Sequence, residues 1–452
     1  MGTERKAPGL TLRVGLWLAV GCALTVAASA PAQTGPPDAP KPHVETISEQ
    51  RIQPRQLPVY FPSKPSIPPD WTIPTDALGF SPPGALYLGE RNSLASLDFM
   101  GEDRLLFTFR VPALLRRKPG EAGDSDQREI RAVVLALPNG TVESEANWLV
   151  HDRARYLWML RNGHFLLRDR KSLVEGDISL KLTPFLDFPG PLLSVELDPS
   201  QQFLVTNSRE PLNAGTNAPA AGPASTGVDT SDTSGANEPD LVLRILQRKS
   251  GQVMLVTRVH DLGHLPINNQ GYLENLRGDG MDWSLEMNFF TGGRQPMGSV
   301  KSTCMPDSQF ISDDEVLTTA CADLGDDALV AMTSSGEKLW IDVVPDRQVW
   351  PILIKSAGGQ RIARESLYVS HSITAYAPLG DDEIKGQWLQ VLDSATGKLA
   401  FESPVSPILD AGGNVALSPS GRRVAVLNGG AIQVFELPAP PAVPDAEQNA
   451  AH

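Results

Sequence analysis

The chain has 452 residues, of which 41% are hydrophobic, and a formal net charge of −14. Acidity of this size argues against nucleic acid or an anionic lipid surface as the partner, while the apolar content is ample for a large core. Glycine and proline, at 39 residues each, punctuate too many turns for long helices and suit many short strands.

In chain order, Arg5, Lys6 and Arg13 precede an apolar run from Val14 to Leu24, and Ala30-Pro31-Ala32 follows with small residues. This predicts a signal peptide over 1–32. The run is too short and too interrupted for a membrane span, and no later segment offers one. The mature chain is therefore expected in the periplasm or outside the cell. A lipid anchor at Cys22 is the weaker alternative, because the apolar core continues beyond that residue. Fourteen prolines lie between Pro31 and Pro83, and each removes a backbone donor. Residues 33–56 read as a disordered Pro-rich tether. Residues 57–84 carry Val59, Tyr60, Phe61, Trp71, Ile73 and Phe80, and read as an extended arm packed on the body.

From 85 to 437 the sequence offers strand after strand and almost no helical period. A phrase recurs about every fifty residues: an apolar run, an acidic or Ser/Pro turn, a second apolar run. It appears at Leu97–Phe107, Trp148–Trp158, Val195–Val205 and Val415–Val426. Landmarks at Asp98, His151, Asp198, Asp313, Val369 and Ser418 are separated by 53, 47, 115, 56 and 49 residues. The long interval holds a low-complexity loop at 211–238 and, beyond it, a degenerate unit around Val253–Phe290. Glycine hairpins at Asn139-Gly140, Ser250-Gly251, Ser335-Gly336 and Thr396-Gly397 should join the third and fourth strands of each unit. These features predict an all-β chain built as one β-propeller of about seven four-stranded blades, with six or eight also compatible. The run Ala431–Leu437 should close the ring against an N-terminal strand, placed here near Ala85–Leu88. The tail over 438–452 reads as disordered.

Leu417-Ser418-Pro419-Ser420-Gly421 and Leu197-Asp198-Pro199-Ser200 resemble the strand-turn-strand signature of WD40-like and YVTN-type β-propellers of exported bacterial proteins. The resemblance covers roughly 85–437, with these two copies the clear ones. The Gly-His and Trp-Asp dipeptides of eukaryotic WD40 repeats are missing, so no adaptor role of that kind is carried over.

Of the three cysteines, Cys22 falls in the leader, leaving Cys304 and Cys321. Two thiols in an oxidising compartment are expected to form a disulfide. His260 and His264 lie four apart and are the weak candidates for a metal site, although Gly263 and Pro266 disfavour a helix there and no third ligand is evident. The acidic pairs at Asp313-Asp314, Asp326-Asp327 and Asp381-Asp382 lack a calcium-loop spacing and read as solvated turns. Gly280–Gly293 is rich in aromatics and methionine and reads as a core strand rather than a recognition patch. No nucleophile elbow, Walker loop or dinucleotide loop is present. No catalytic residue and no cofactor are therefore assigned. The expected function is a non-enzymatic binding or scaffolding module of the cell envelope. It would be monomeric, with an envelope or extracellular protein or a small ligand as partner. The alternative is an exported propeller enzyme, a lactonase-like hydrolase or a quinoprotein-type dehydrogenase. The turns at Thr396-Gly397-Lys398 and Gly336–Trp340 are similar to quinoprotein turn phrases, but the repeated tryptophans and the adjacent-cysteine disulfide of that family are absent.

Overall fold

The computed structural model describes residues 61–80, 82, 95–110, 128–150, 155–210, 241–260, 262, 264–321, 327–344, 347–371, 382–409 and 412–440. Within them the chain forms seven antiparallel sheets in succession, a seven-bladed β-propeller. Strand β1 (Trp71–Pro74) comes first but belongs to the last blade. Blade 1 is β2 (Ala95–Phe99), β3 (Arg104–Arg110), β4 (Arg128–Ala136) and β5 (Thr141–Val150); blade 2 is β6 (Leu157–Met159), β7 (Phe165–Asp169), β8 (Ser172–Gly176) and β9 (Leu182–Asp187). Blade 3 is β10 (Leu192–Leu197), β11 (Phe203–Arg209), β12 (Leu241–Gln247) and β13 (Val253–Val259). Blade 4 has three strands, β14 (Gly271–Arg277), β15 (Asp282–Phe289) and β16 (Arg294–Lys301). Its innermost strand is reduced to one bridge between Ile267 and Tyr272. Blade 5 is β17 (Asp307–Phe310), β18 (Glu315–Cys321), β19 (Asp327–Thr333) and β20 (Lys338–Val343); blade 6 is β21 (Gln348–Lys355), β22 (Arg361–Val369), β23 (Ile384–Asp393) and β24 (Leu399–Val405). Blade 7 takes β25 (Val415–Leu417), β26 (Arg423–Asn428) and β27 (Ala431–Glu436), and β1 completes it as the outermost strand.

Two faces of every radial sheet must be covered, and the apolar residues do this seam by seam. Ile73, Ala425 and Val434 meet Leu105 and Phe107 between blades 7 and 1. Ile130 and Val134 meet Leu157 and Phe165 between blades 1 and 2. Leu285 and Met287 meet Val316 and Val330 between blades 4 and 5. Burial on both faces is why these strands read as continuous apolar runs rather than alternations.

The recurring turn has a local cause. In blade 3 the Asp198 carboxylate accepts the N–H of Ser200 at 3.0 Å and of Phe203 at 2.7 Å. Ser356 Oγ accepts Arg361 N–H at 3.1 Å, and Ser418 Oγ accepts Arg423 N–H at 3.1 Å. A short side-chain acceptor thus replaces the missing backbone partner where the innermost strand turns into the second. In blade 4 Asn268 Oδ1 serves, taking the N–H of Gln270 and Gly271. Neighbouring turns are also tied together. Arg161 N–H donates to Gln201 Oε1 (2.6 Å), Gly358 N–H to the Pro419 carbonyl (2.8 Å), and Ser420 N–H to Glu102 Oε1 (2.7 Å).

Several expectations shift in detail. The closing partner of β27 is Trp71–Pro74, in register Ile73 to Ile432, upstream of the segment expected to close the ring. Ala85–Leu88 lie outside the described residues, as do the leader, the tether and the 211–238 loop. Trp148–Trp158 is not a hairpin. Its first half ends β5 and its second half opens β6, so the phrase crosses a blade boundary. Val369 ends β22 and is likewise out of phase; the equivalent turn of blade 6 begins at Ser356. The degenerate unit begins near Ile267, because Val253–Val259 is the outer strand of blade 3. All four glycine hairpins do join third to fourth strands. Gly140 shows why: its φ is +65° and any Cβ would lie 2.7 Å from Ile73 Cγ2.

Candidate functional site

The innermost strands leave a central channel enclosing about 310 Å³ and lined from every blade. Its polar side chains come from the inner strands and from the ends that lead into the turns. Glu196 on β10 and Asp307 on β17 approach His264 from opposite sides, at 3.0 Å from Nε2 and 2.8 Å from Nδ1. His264 belongs to the stretch where blade 4 has lost its inner strand. The imidazole therefore bridges blades 3 and 5 across the gap. Burial alone would lower its pKa, but the two carboxylates overcome this and raise it to about 10.

That shift has a definite sign. A histidine whose folded pKa stands above the ordinary 6.5 adds stability that is present in full below pH 6.5. The contribution is lost as pH rises through about 10. The ring is 38% exposed, so the contribution is about 1 kcal/mol rather than that of a fully buried pair. Denaturant melts of His264→Leu should show this deficit at pH 6 and close most of it at pH 10.5. A deficit independent of pH would disprove the ion-bridge account.

The other channel groups differ in environment. Asp98 on β2 accepts the Ser96 hydroxyl at 2.6 Å; burial lifts its pKa to about 6 against the pull of Arg155 and Ser96. Lys355, at the end of β21, donates to the Phe310 carbonyl at 2.8 Å. Burial pushes its ammonium down to about 8 despite Asp198, Glu196 and Asp313 nearby. Arg155 donates through Nε to the Leu157 carbonyl at 3.0 Å and stands 5.9 Å above the Trp158 ring. Asp313, outside the channel lining, is a half-buried turn residue rather than a fully solvated one. It accepts Asn269 Nδ2 at 3.0 Å and holds blade 4 to blade 5.

The residues singled out in the sequence fall apart in space by role. Cys304 and Cys321 form a disulfide with Cα atoms 5.6 Å apart, tying the blade 4-to-5 connection to the end of β18. His260 follows β13 and is exposed, whereas His264 lines the channel with both ring nitrogens facing carboxylates. The structure gives the two no shared role, and no cluster of three or more His, Cys, Asp or Glu able to hold a metal occurs among the described residues. Gly280–Gly293 contains β15, whose Leu285 and Met287 are core. Trp340 packs against Gly397, the outer-hairpin turn of the next blade, and its indole N–H donates to the Ser394 carbonyl.

Sequence reasoning missed one further grouping. On the connection after β22, Ser370 Oγ lies 3.1 Å from His371 Nδ1, and His371 Nε2 lies 3.3 Å from Glu383 Oε1. Hydroxyl, imidazole and carboxylate are the parts of an acyl-transfer triad. Here the hydroxyl and ring sit on adjacent residues, the ring is 57% exposed, and the group is away from the channel. Twelve residues separate His371 from Glu383, so no local motif could have announced it.

No protein-family model matches the chain, and no curated protein matches it. Several solved structures match it at low identity. Acylaminoacyl peptidase of Pyrococcus horikoshii is 8% identical with a TM-score of 0.44, over 77% of this chain and 52% of that one. The β-propeller domain of the Trilobed protease of Pyrococcus furiosus is 10% identical with a TM-score of 0.41, over 76% and 94%. TolB of Acinetobacter baumannii is 13% identical with a TM-score of 0.36, over 70% and 75%. The chain spans about half the length of the acylaminoacyl peptidase.

Proposed function

We propose that the chain is an exported, non-enzymatic β-propeller of the WD40-like or YVTN type, acting as a binding module whose ligand enters the central channel. The observation that carries this reading is the channel itself: polar and apolar side chains from seven blades converge on one cavity. Of its acidic groups, Asp198 holds its own turn and Glu196 is engaged with His264 rather than set beside a nucleophile. Export is supported by the basic and apolar leader in the sequence and by the Cys304–Cys321 bond, which suits an oxidising compartment. Among the described residues no helix is long and apolar enough to cross a membrane.

The test uses the full mature chain. Incubated with a small-molecule extract of the cell envelope and re-purified, it should carry a compound identifiable by mass spectrometry. Gln309→Trp, which fills the channel from β17, should lose that compound. Retention of the same compound by the variant would place binding elsewhere, and an empty wild-type protein would count against the module. The hydrolase reading rests on Ser370, His371 and Glu383. It predicts p-nitrophenyl acetate turnover that Ser370→Ala abolishes; the binding reading expects identical rates for wild type and variant.

A further inference from the structure

The channel's polar groups divide into those the fold already uses and those it leaves over. Asp198 is occupied by its own turn and Glu196 by His264, which Asp307 holds from outside the cavity lining. Of the charged groups, two cations and one carboxyl remain. Among the described residues Lys355 Nζ has one hydrogen bond, to a carbonyl, so two of its donors are unspent. Among the described residues Arg155 uses only Nε, leaving the outer guanidinium nitrogens. Neither forms an ion pair among the described residues. Asp98 has committed Oδ2 to Ser96. All three line the same cavity, and the Arg155 charge is felt at both Lys355 and Asp98.

Two cations with unspent donors facing one confined space favour an anion that can bond to both, even though Asp198, Glu196 and Asp313 near Lys355 and Asp98 near Arg155 offset part of their charge. A carboxyl beside them supplies an acceptor for a donor group on the same ligand. We propose that the channel binds a small organic acid bearing a hydroxyl or amino group, its carboxylate held by Lys355 and Arg155 and its donor by Asp98. The assignment rests on the channel reading above and specifies its ligand class. A volume of about 310 Å³ is at the lower end for ligand pockets and suits a small molecule. The net charge of −14 opposes anions at long range, so recognition must come from contacts inside the channel rather than from steering.

Isothermal titration of the full mature chain tests this with L-lactate and L-alanine as probes and methyl L-lactate as the uncharged counterpart. At least one acid should bind, and the ester should bind at least tenfold more weakly than L-lactate if lactate is that acid. Lys355→Met and Arg155→Gln should each weaken binding at least tenfold, Lys355→Arg should retain it, and Asp98→Asn should weaken it severalfold. Circular dichroism melts establish that each variant is folded. The proposal is overturned if neither acid binds, if the ester binds as well as lactate, or if both cation variants bind like wild type. Should the envelope extract yield a neutral channel ligand that Gln309→Trp abolishes, the binding-module reading stands and this assignment falls.

Discussion

Glu365→Gln should stabilise the protein by roughly 3–5 kcal/mol at pH 8.5 and by far less at pH 4.5. Glu365 is central in β22, paired with Ile352 and Leu389, and is fully buried. Among the described residues neither carboxylate oxygen has a hydrogen-bond partner. Its side chain reaches the channel wall from behind, with Oε2 3.7 Å from where a Cβ on Gly412 would lie. Burial pushes its pKa up to about 8. An acid shifted upward disfavours its charged form in the fold. Stability is therefore full below the ordinary value of 4.5, falls as pH rises from there to about 8, and is level beyond. The neutral amide lacks the charge and should lose that slope. Urea melts of both proteins from pH 4.5 to 8.5 decide it; parallel curves would show that Glu365 is not a buried neutral acid.

Ile73→Asp should cost about 4 kcal/mol, combining the loss of a buried side chain with an unpaired carboxylate in an apolar seam. Ile73 is 6% exposed, pairs with Ile432, and packs over Gly140 of blade 1. One residue therefore holds the outermost strand to blade 7 and blade 7 to blade 1. Its neighbour Thr72 points away and is exposed, so Thr72→Asp should change stability by less than about 0.5 kcal/mol. Equal midpoints for the two variants in guanidinium would mean that the ring does not depend on this strand for closure.

These two residues mark the limits of what could be read from residue order. Glu365 sits in Arg361–Val369, a run that looks like any half-polar strand until its neighbours bury it. Ile73 sits among prolines, where strand pairing is disfavoured, yet Trp71–Pro74 occupies an outer edge, which tolerates proline. The blade count near seven, the outer glycine hairpins and the Cys304–Cys321 bond were legible because each depends on local chemistry: turn geometry, or the simple supply of two thiols. The turn phrase was legible for the same reason, since Asp198, Ser356 and Ser418 accept from donors only five residues or fewer away.

Phase and site were decided only in three dimensions. The phrase at Trp148–Trp158 mimics a hairpin because outer and inner strands carry the same apolar residues, and only pairing separates β5 from β6. The channel assembles Asp98, Arg155, His264 and Lys355 from blades that are distant in sequence. No spacing encodes such a set, because a closed ring brings one residue from each repeat to the axis whatever lies between. Local hydrogen bonding wrote the architecture into the chain, whereas ring closure chose which charges share a cavity.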